Sequence, residues 1–391
     1  MRQGDDDPRA VPEPELRLDR LFEAGCDWLT AQGRSGHLAV HAPDGTLSYH
    51  DLDCLANQLA RYLLDGGAAP GDRIGVLLEQ GTDTYIAMLA VLKIQAVYVR
   101  LDLGFPADRI GHLITEGGMR ALVSDTTRAE RLHVPPGGPD LQVVLVDAQA
   151  LEISRCPSER LGDADQDRPA VEQACLVFPE GQAEPAAGTE ISHAGVCNFA
   201  LTTAKLSGIG MEDRVFEGLS GAPWFSVEAI WVAWIVGAVL IPAGSRLWGA
   251  ELRRFLATNR VTALYCTPAM LASLDEDLPE VRYVLLSGQV CPRDLLMRWH
   301  RPGRRVISVY GTTEPNRPVT GSTARSAVDT GRPDGPGGTV RLAPAPGPST
   351  ATTAGPTDGP TDGPGRSRPL ENGSPADLGA QVLTSDAAAP R

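Results

Sequence analysis

Residues suited to chemistry stand in four short stretches of the chain. Tyr310-Gly311-Thr312-Thr313-Glu314 follows the apolar run Val306–Val309 and offers hydroxyl and carboxylate oxygens at one turn. Such oxygens are ligands for a hard divalent cation. The same residues also spell a tight turn with a glutamate opening a helix. The stretch FPEGQAEPAAG at 178–188 holds Gly181 and Gly188 among Pro179, Glu180, Glu184 and Pro185. Proline removes a backbone donor, and the two carboxylates repel any anion placed there. Trp224 and Phe225 precede Glu228, with Trp231 and Trp234 beyond. A carboxylate among rings pairs with an ammonium group, but core packing is the plainer reading of the aromatics, and an exposed or packed side chain that of the glutamate. Ser287-Gly288-Gln289 closes the set as a small polar turn after an apolar run.

Composition narrows what these residues can serve. The 391 residues carry a formal net charge of −14, with 42% hydrophobic content. Nucleic acid and anionic membrane surfaces select clustered Lys and Arg, so neither is expected as the main partner. Lysine occurs only at positions 93 and 205, which restricts any mechanism that needs one. The seven cysteines are scattered, with no CxxC pair and no zinc-type Cys/His spacing. The polar N-terminus lacks the apolar core of a secretory signal. The longest apolar run, Ala229–Pro242, is short for a bilayer. A cytoplasmic location follows as the expectation.

The elements that must position the site alternate between helical and strand periods. Leu52, Leu55, Leu59, Tyr62 and Leu63 share one helical stripe, which Gly66-Gly67 ends. Thr84–Gln95 also reads as a helix. Strands are expected at Arg73–Leu78, Ala96–Leu101, Ala121–Ser124, Val143–Val146, Cys175–Phe178, Val261–Cys266, Val281–Leu286 and Val306–Tyr310. Strands alternating with helices imply an α/β fold with largely parallel sheets. Three regions follow: a flexible lead-in at 1–17, a folded core at 18–320, and a tail at 321–391. The tail is rich in Pro, Gly and Thr, repeats GPTD, and is expected to be disordered.

Several segments, in order, resemble the motifs of the adenylate-forming superfamily, above all peptide-synthetase adenylation domains. They are LSYHDL at 47–52, MLAVLKIQAVYVRLDLGFPADRI at 88–110, TEISHAGVCNF at 189–199, SVEAIWVAWIVGAVLIP at 226–242, then VTALYCTP, VRYVLLSG and VYGTTE. The ordered set is more specific than any one motif. The resemblance implies an α/β adenylate-forming N-terminal architecture: two α/β subdomains plus a small β subdomain, with the family's small C-terminal domain absent. It implies ATP or AMP and Mg²⁺ as cofactors, and other peptide-synthetase proteins as partners. Tyr310, Gly311, Thr312, Thr313 and Glu314 then stand at a nucleotide site, with Glu314 toward Mg²⁺. Gly181 and Gly188 survive from its phosphate loop. Trp224, Phe225, Glu228, Ser287 and Gly288 line a substrate pocket.

The departures from the family pattern are as informative. The loop's hydroxyl positions are Pro179, Glu180, Gln182 and Ala183, one glycine is Glu184, and the lysine is Ala187. Trp224 replaces the aspartate that holds a substrate ammonium, Arg100 replaces a proline, and Ser287-Gly288-Gln289 stands for Gly-Gly-Glu. Beyond residue 320 only Thr330-Gly331-Arg332-Pro333 resembles a family turn, and the C-terminal catalytic lysine has no match. The resemblance therefore implies a degenerate adenylation-domain homologue, unable to adenylate a carboxylate by itself. Two alternatives remain: an active ligase completed by a partner chain, and a non-catalytic binding or scaffold protein.

Overall fold

A computed structural model describes residues 17–132, 141–162, 171–178, 188–218, 223–244, 247–286 and 291–308, together with two strands at 338–341 and 381–384. Helices α1 (Leu18–Ala31), α2 (Tyr49–Asp65), α3 (Thr82–Lys93), α7 (His193–Ser207) and α8 (Pro223–Ile235) pack into one buried cluster with the inner faces of two sheets. The smaller sheet has the order β6-β5-β3-β4-β7-β8, built from Gln142–Leu145, Met119–Ser124, Arg73–Leu77, Val97–Arg100, Gln173–Val177 and Thr189–Ser192. The larger runs β14-β15-β13-β12-β11-β9-β10-β1-β2. Its strands, in that order, are Gly338–Arg341, Gln381–Thr384, Arg305–Ser308, Tyr283–Leu286, Ala263–Cys266, Arg214–Glu217, Val239–Pro242, Leu38–Ala42 and Gly45–Ser48.

Outer faces are covered separately. Helices α9 (Gly249–Thr258), α10 (Pro268–Ala272) and α11 (Arg293–Trp299) bury Leu252, Leu256, Met270, Leu271 and Trp299 against the larger sheet. Helix α4 (Ala107–Glu116) places Ile110, Leu113 and Ile114 against the smaller one. The layers are therefore helix, sheet, central helices, sheet, helix. Buried on both faces, the central strands read as continuous apolar runs, as parallel strands do.

Local chemistry explains where several elements start. In the LSYHDL motif, the Ser48 hydroxyl accepts from the Asp51 N–H at 3.0 Å while Asp51 reaches back to Ser48, a capping box that opens α2. Helix α2 ends at Gly66, and Gly67 takes a φ of 96° that favours glycine. The run Ala229–Pro242 is indeed interior: it forms most of α8 and all of β10, and every residue from Ala229 to Trp234 is buried.

Two short strands fall within the tail. Gln381–Thr384 pairs antiparallel with β13, and Gly338–Arg341 pairs with it in turn. Each strand holds a β-favouring patch, Thr339-Val340 and Val382-Leu383, inside the biased composition. The rest of the tail, the lead-in before residue 17, and the expected small β subdomain lie outside the described residues.

Candidate functional site at the strand ends

Ligands of parallel α/β sheets bind outside the carboxyl ends of the strands. Here β7 ends at Val177, β9 at Glu217, β12 at Leu286 and β13 at Ser308, all parallel to a neighbour. From these ends depart the segments 178–188, 218–224, 287–290 and 309–314. The topology thus brings the sequence-derived candidates to strand ends without any side-chain argument. Gly181, Ser287, Gly288 and Tyr310, Gly311, Thr312, Thr313 and Glu314 themselves lie outside the described residues. Trp224 and Phe225 fall in the first turn of α8.

The two sheets meet at these ends through a polar cluster. Tyr85 donates its hydroxyl to Glu217 Oε2 at 2.6 Å, Arg100 Nη1 lies 3.4 Å from Oε1, and Gln80 donates to the Glu217 carbonyl at 3.4 Å. Glu217 is fully buried, and it joins β9 of one sheet to β4 of the other. Burial first, then the Glu217 charge, pushes the Tyr85 phenol well above its ordinary range. Tyr265 stands in register with Glu217 on β11. Its hydroxyl is buried with no hydrogen-bond partner among the described residues, and burial followed by the charge of Glu228 raises its pKa. Glu228 is itself 3% exposed, which rules out the exposed setting.

The aromatic candidates divide in the same way. Trp231 and Trp234 are core: both are fully buried, their rings 5.3 Å apart and edge-on, and Trp234 Nε1 donates to the Ala39 carbonyl. Gly188 has a packing reason to be glycine. A Cβ there would lie 2.6 Å from Leu176 Cδ1 and 3.0 Å from Phe178 Cε1, where β8 crosses back over β7.

The two lysines have different settings. Lys93 is 2% exposed at the end of α3, with Nζ 2.5 Å from Glu23 of α1 and 2.7 Å from Asp53 of α2. Arg160 adds contacts of 2.9 Å each to Asp53 and Asp27. Lys205 is exposed in the last turn of α7. Strand β8 separates the loop from α7, whose first residue donates its N–H to the Glu172 carbonyl at the start of β7 and whose Ser192 cap accepts from the Gly195 N–H.

Sequence reasoning passed over Glu217, Tyr85 and Tyr265. The one available signal was a carboxylate ending an apolar strand, Val215-Phe216-Glu217, which a buried strand accepts only with a partner. Among the described residues, no group of three His, Cys, Asp or Glu side chains is placed to hold a metal, and no helix is long and apolar enough to cross a membrane.

This two-sheet arrangement is that of known adenylate-forming N-terminal domains. The N-terminal subdomain of Klebsiella oxytoca NpsA matches with a TM-score of 0.63 at 22% identity, over 76% of this chain and 74% of that one. The N-terminal domain of FACL13 from Mycobacterium tuberculosis gives 0.65 at 18% identity, over 76% of each. The family model "AMP-binding enzyme" matches residues 28–342. The chain belongs to the AMP-binding enzyme family. Its sequence is 30% identical to Novobiocin biosynthesis protein H of Streptomyces niveus over 318 residues, 80% of this chain and 52% of that protein. It is 29% identical to the Delta-poly-L-ornithine synthetase of Acinetobacter baumannii over 306 residues, 22% of that protein. The chain thus spans about half or less of the length of these curated relatives.

Proposed function

We propose that this chain is a degenerate adenylation-domain homologue of nonribosomal peptide or related secondary-metabolite assembly that does not adenylate a carboxylate by itself. The observation that carries this reading is the loop 178–188. Adenylyl transfer needs positive charge and backbone donors around the triphosphate. Pro179 and Pro185 lack the backbone donor, and Glu180, Glu184 and Ala187 supply no positive charge. At about 4 Å each carboxylate–phosphate contact costs on the order of 1 kcal/mol in water and several when desolvated.

The setting of Lys93 supports the same reading, because its ammonium is buried and committed to Glu23 and Asp53. The loop's residues therefore do not fit a triphosphate with Mg²⁺. A single phosphate on an adenosine is spared that loop and can accept a hydrogen bond from the Thr313 hydroxyl. The relatives' names, a novobiocin biosynthesis protein and a poly-ornithine synthetase, favour other peptide-synthetase proteins as partners.

ATP–pyrophosphate exchange by the purified chain tests the reading. No amino acid is expected to raise exchange above the heat-inactivated control. Substrate-dependent exchange above that control would overturn it.

A further inference from the structure

A Cys–His pair stands on the solvent side of α2, and neither residue belongs to the strand-end site. His50 and Cys54 are four residues apart, so the helix places them one above the other on one face. His50 Nε2 lies 3.7 Å from Cys54 Sγ, with His50 exposed and Cys54 half-buried. In sequence the pair matches no zinc-finger spacing, and only the helical period brings the two donor atoms together. The capping box of Ser48 and Asp51 fixes the turn that carries His50. One turn past Cys54, Gln58 donates to the Ser154 and Cys156 carbonyls at 2.9 and 3.0 Å, which anchors the other end of the same stripe.

The separation suits a shared ion. A tetrahedral ion with a metal–sulfur bond of about 2.3 Å and a metal–nitrogen bond of about 2.0–2.1 Å holds its two donors about 3.5–3.6 Å apart. Spanning the observed 3.7 Å takes a bond angle of about 115°, close to tetrahedral. Both atoms offer a lone pair once the thiol proton leaves: the thiol and M²⁺ give a metal thiolate and one H⁺, while the neutral imidazole keeps its proton on Nδ1. The other two half-buried thiols, Cys156 and Cys291, contact the backbone carbonyls of Glu152 and Pro292 instead.

The surroundings favour a cation over a bare thiolate. Burial, then the charges of Asp53 and Asp51, hold the Cys54 thiol above its ordinary range, with Lys93 and Arg160 opposing. Carboxylates that disfavour the thiolate stabilise a divalent cation beside it. The positive end of α2 acts against a cation, and Asp51 in the first turn offsets it. We propose that His50 and Cys54 form a two-ligand surface site for a thiophilic divalent cation of the zinc class, with water in the remaining positions. Two protein ligands in place of four set the expected Kd on the order of 10 μM, far weaker than a structural zinc site. The site is independent of the 178–188 loop.

Alkylation of the full chain by iodoacetamide, followed by peptide mapping, reads each thiol separately in the presence of Zn²⁺, Mg²⁺ or a chelator. Zn²⁺ at about ten times the expected Kd is predicted to slow alkylation of Cys54 about tenfold by mass action. Cys156 and Cys291 are expected to react at unchanged rates, and Mg²⁺, which prefers oxygen ligands, to protect none of the three. His50→Gln separates binding from folding, because His50 is exposed. The variant is expected to melt within about 2 °C of the parent while losing the Zn²⁺ protection at Cys54. No protection of Cys54 in the parent, equal protection of Cys156 and Cys291, or undiminished protection in His50→Gln would each overturn the proposal.

Discussion

Lys93 shows why a family motif can survive without its chemistry. It lies inside the motif at 88–110, yet its ammonium serves to tie α1, α2 and α3 through Glu23 and Asp53. Removing one partner of a buried pair leaves the others uncompensated, so Lys93→Met is expected to destabilise the fold by about 3 kcal/mol, read from denaturant midpoints. A loss under about 0.5 kcal/mol, typical of a neutral surface change, would contradict that role. Arg100 and Glu217 make the matching case at the strand ends. The arginine was legible only as a departure from a family proline. Its partner lies 117 residues away in sequence, and no local pattern links them. Arg100→Leu and Glu217→Gln are expected to be non-additive, with a coupling of about 1–3 kcal/mol in a double-mutant cycle. Additivity would mean that the 3.4 Å contact joins the sheets only in appearance.

At the scale of elements, His193 links fold and pH. It opens α7, where Nδ1 accepts the Leu18 N–H at 3.2 Å, and burial, reinforced by Arg17, lowers its pKa to about 3. The unfolded chain binds that proton near the ordinary value of 6.5, whereas the folded chain does not. Stability from this group is therefore whole above pH 6.5 and falls as pH drops from 6.5 toward 3, by up to ~1.4 kcal/mol per unit. Asparagine in its place keeps an acceptor for Leu18 without the titration. His193→Asn is expected to lose less stability than the parent between pH 7 and pH 5, and an equal loss would contradict this assignment. Helices α2 and α3 and eight of the strands were legible in the sequence, because each carries a full period or a continuous apolar run. The hairpin Leu38–Ser48 and strands β8 and β9 were not. They are short, bordered by polar residues, and acquire their burial only from the sheet they join. The strand-end placement of the motifs followed from topology, whereas the Tyr85–Glu217–Arg100 cluster required three dimensions.

At the scale of the molecule, two sheets close on five central helices, and the motif segments leave from neighbouring strand ends. Family membership is plain, and on the proposed reading what distinguishes this chain is charge: the segment that resembles the family's phosphate loop carries Glu180 and Glu184 and has Ala187 where the resemblance implies a lysine. If repulsion at that loop governs nucleotide choice, AMP must bind better than ATP, because its single phosphate does not extend to the loop. Hydrogen bonds to one charged phosphate contribute only about 1.5–3 kcal/mol net, so the expected affinity is roughly millimolar, about −4 kcal/mol. Calorimetry with both nucleotides, on the unaltered chain and on Glu180→Ser/Glu184→Gly/Ala187→Lys, measures this directly. The account predicts weak binding of AMP over ATP in the unaltered chain, and a gain in the triple variant that is larger for ATP. Tighter binding of ATP than AMP by the unaltered chain would contradict it.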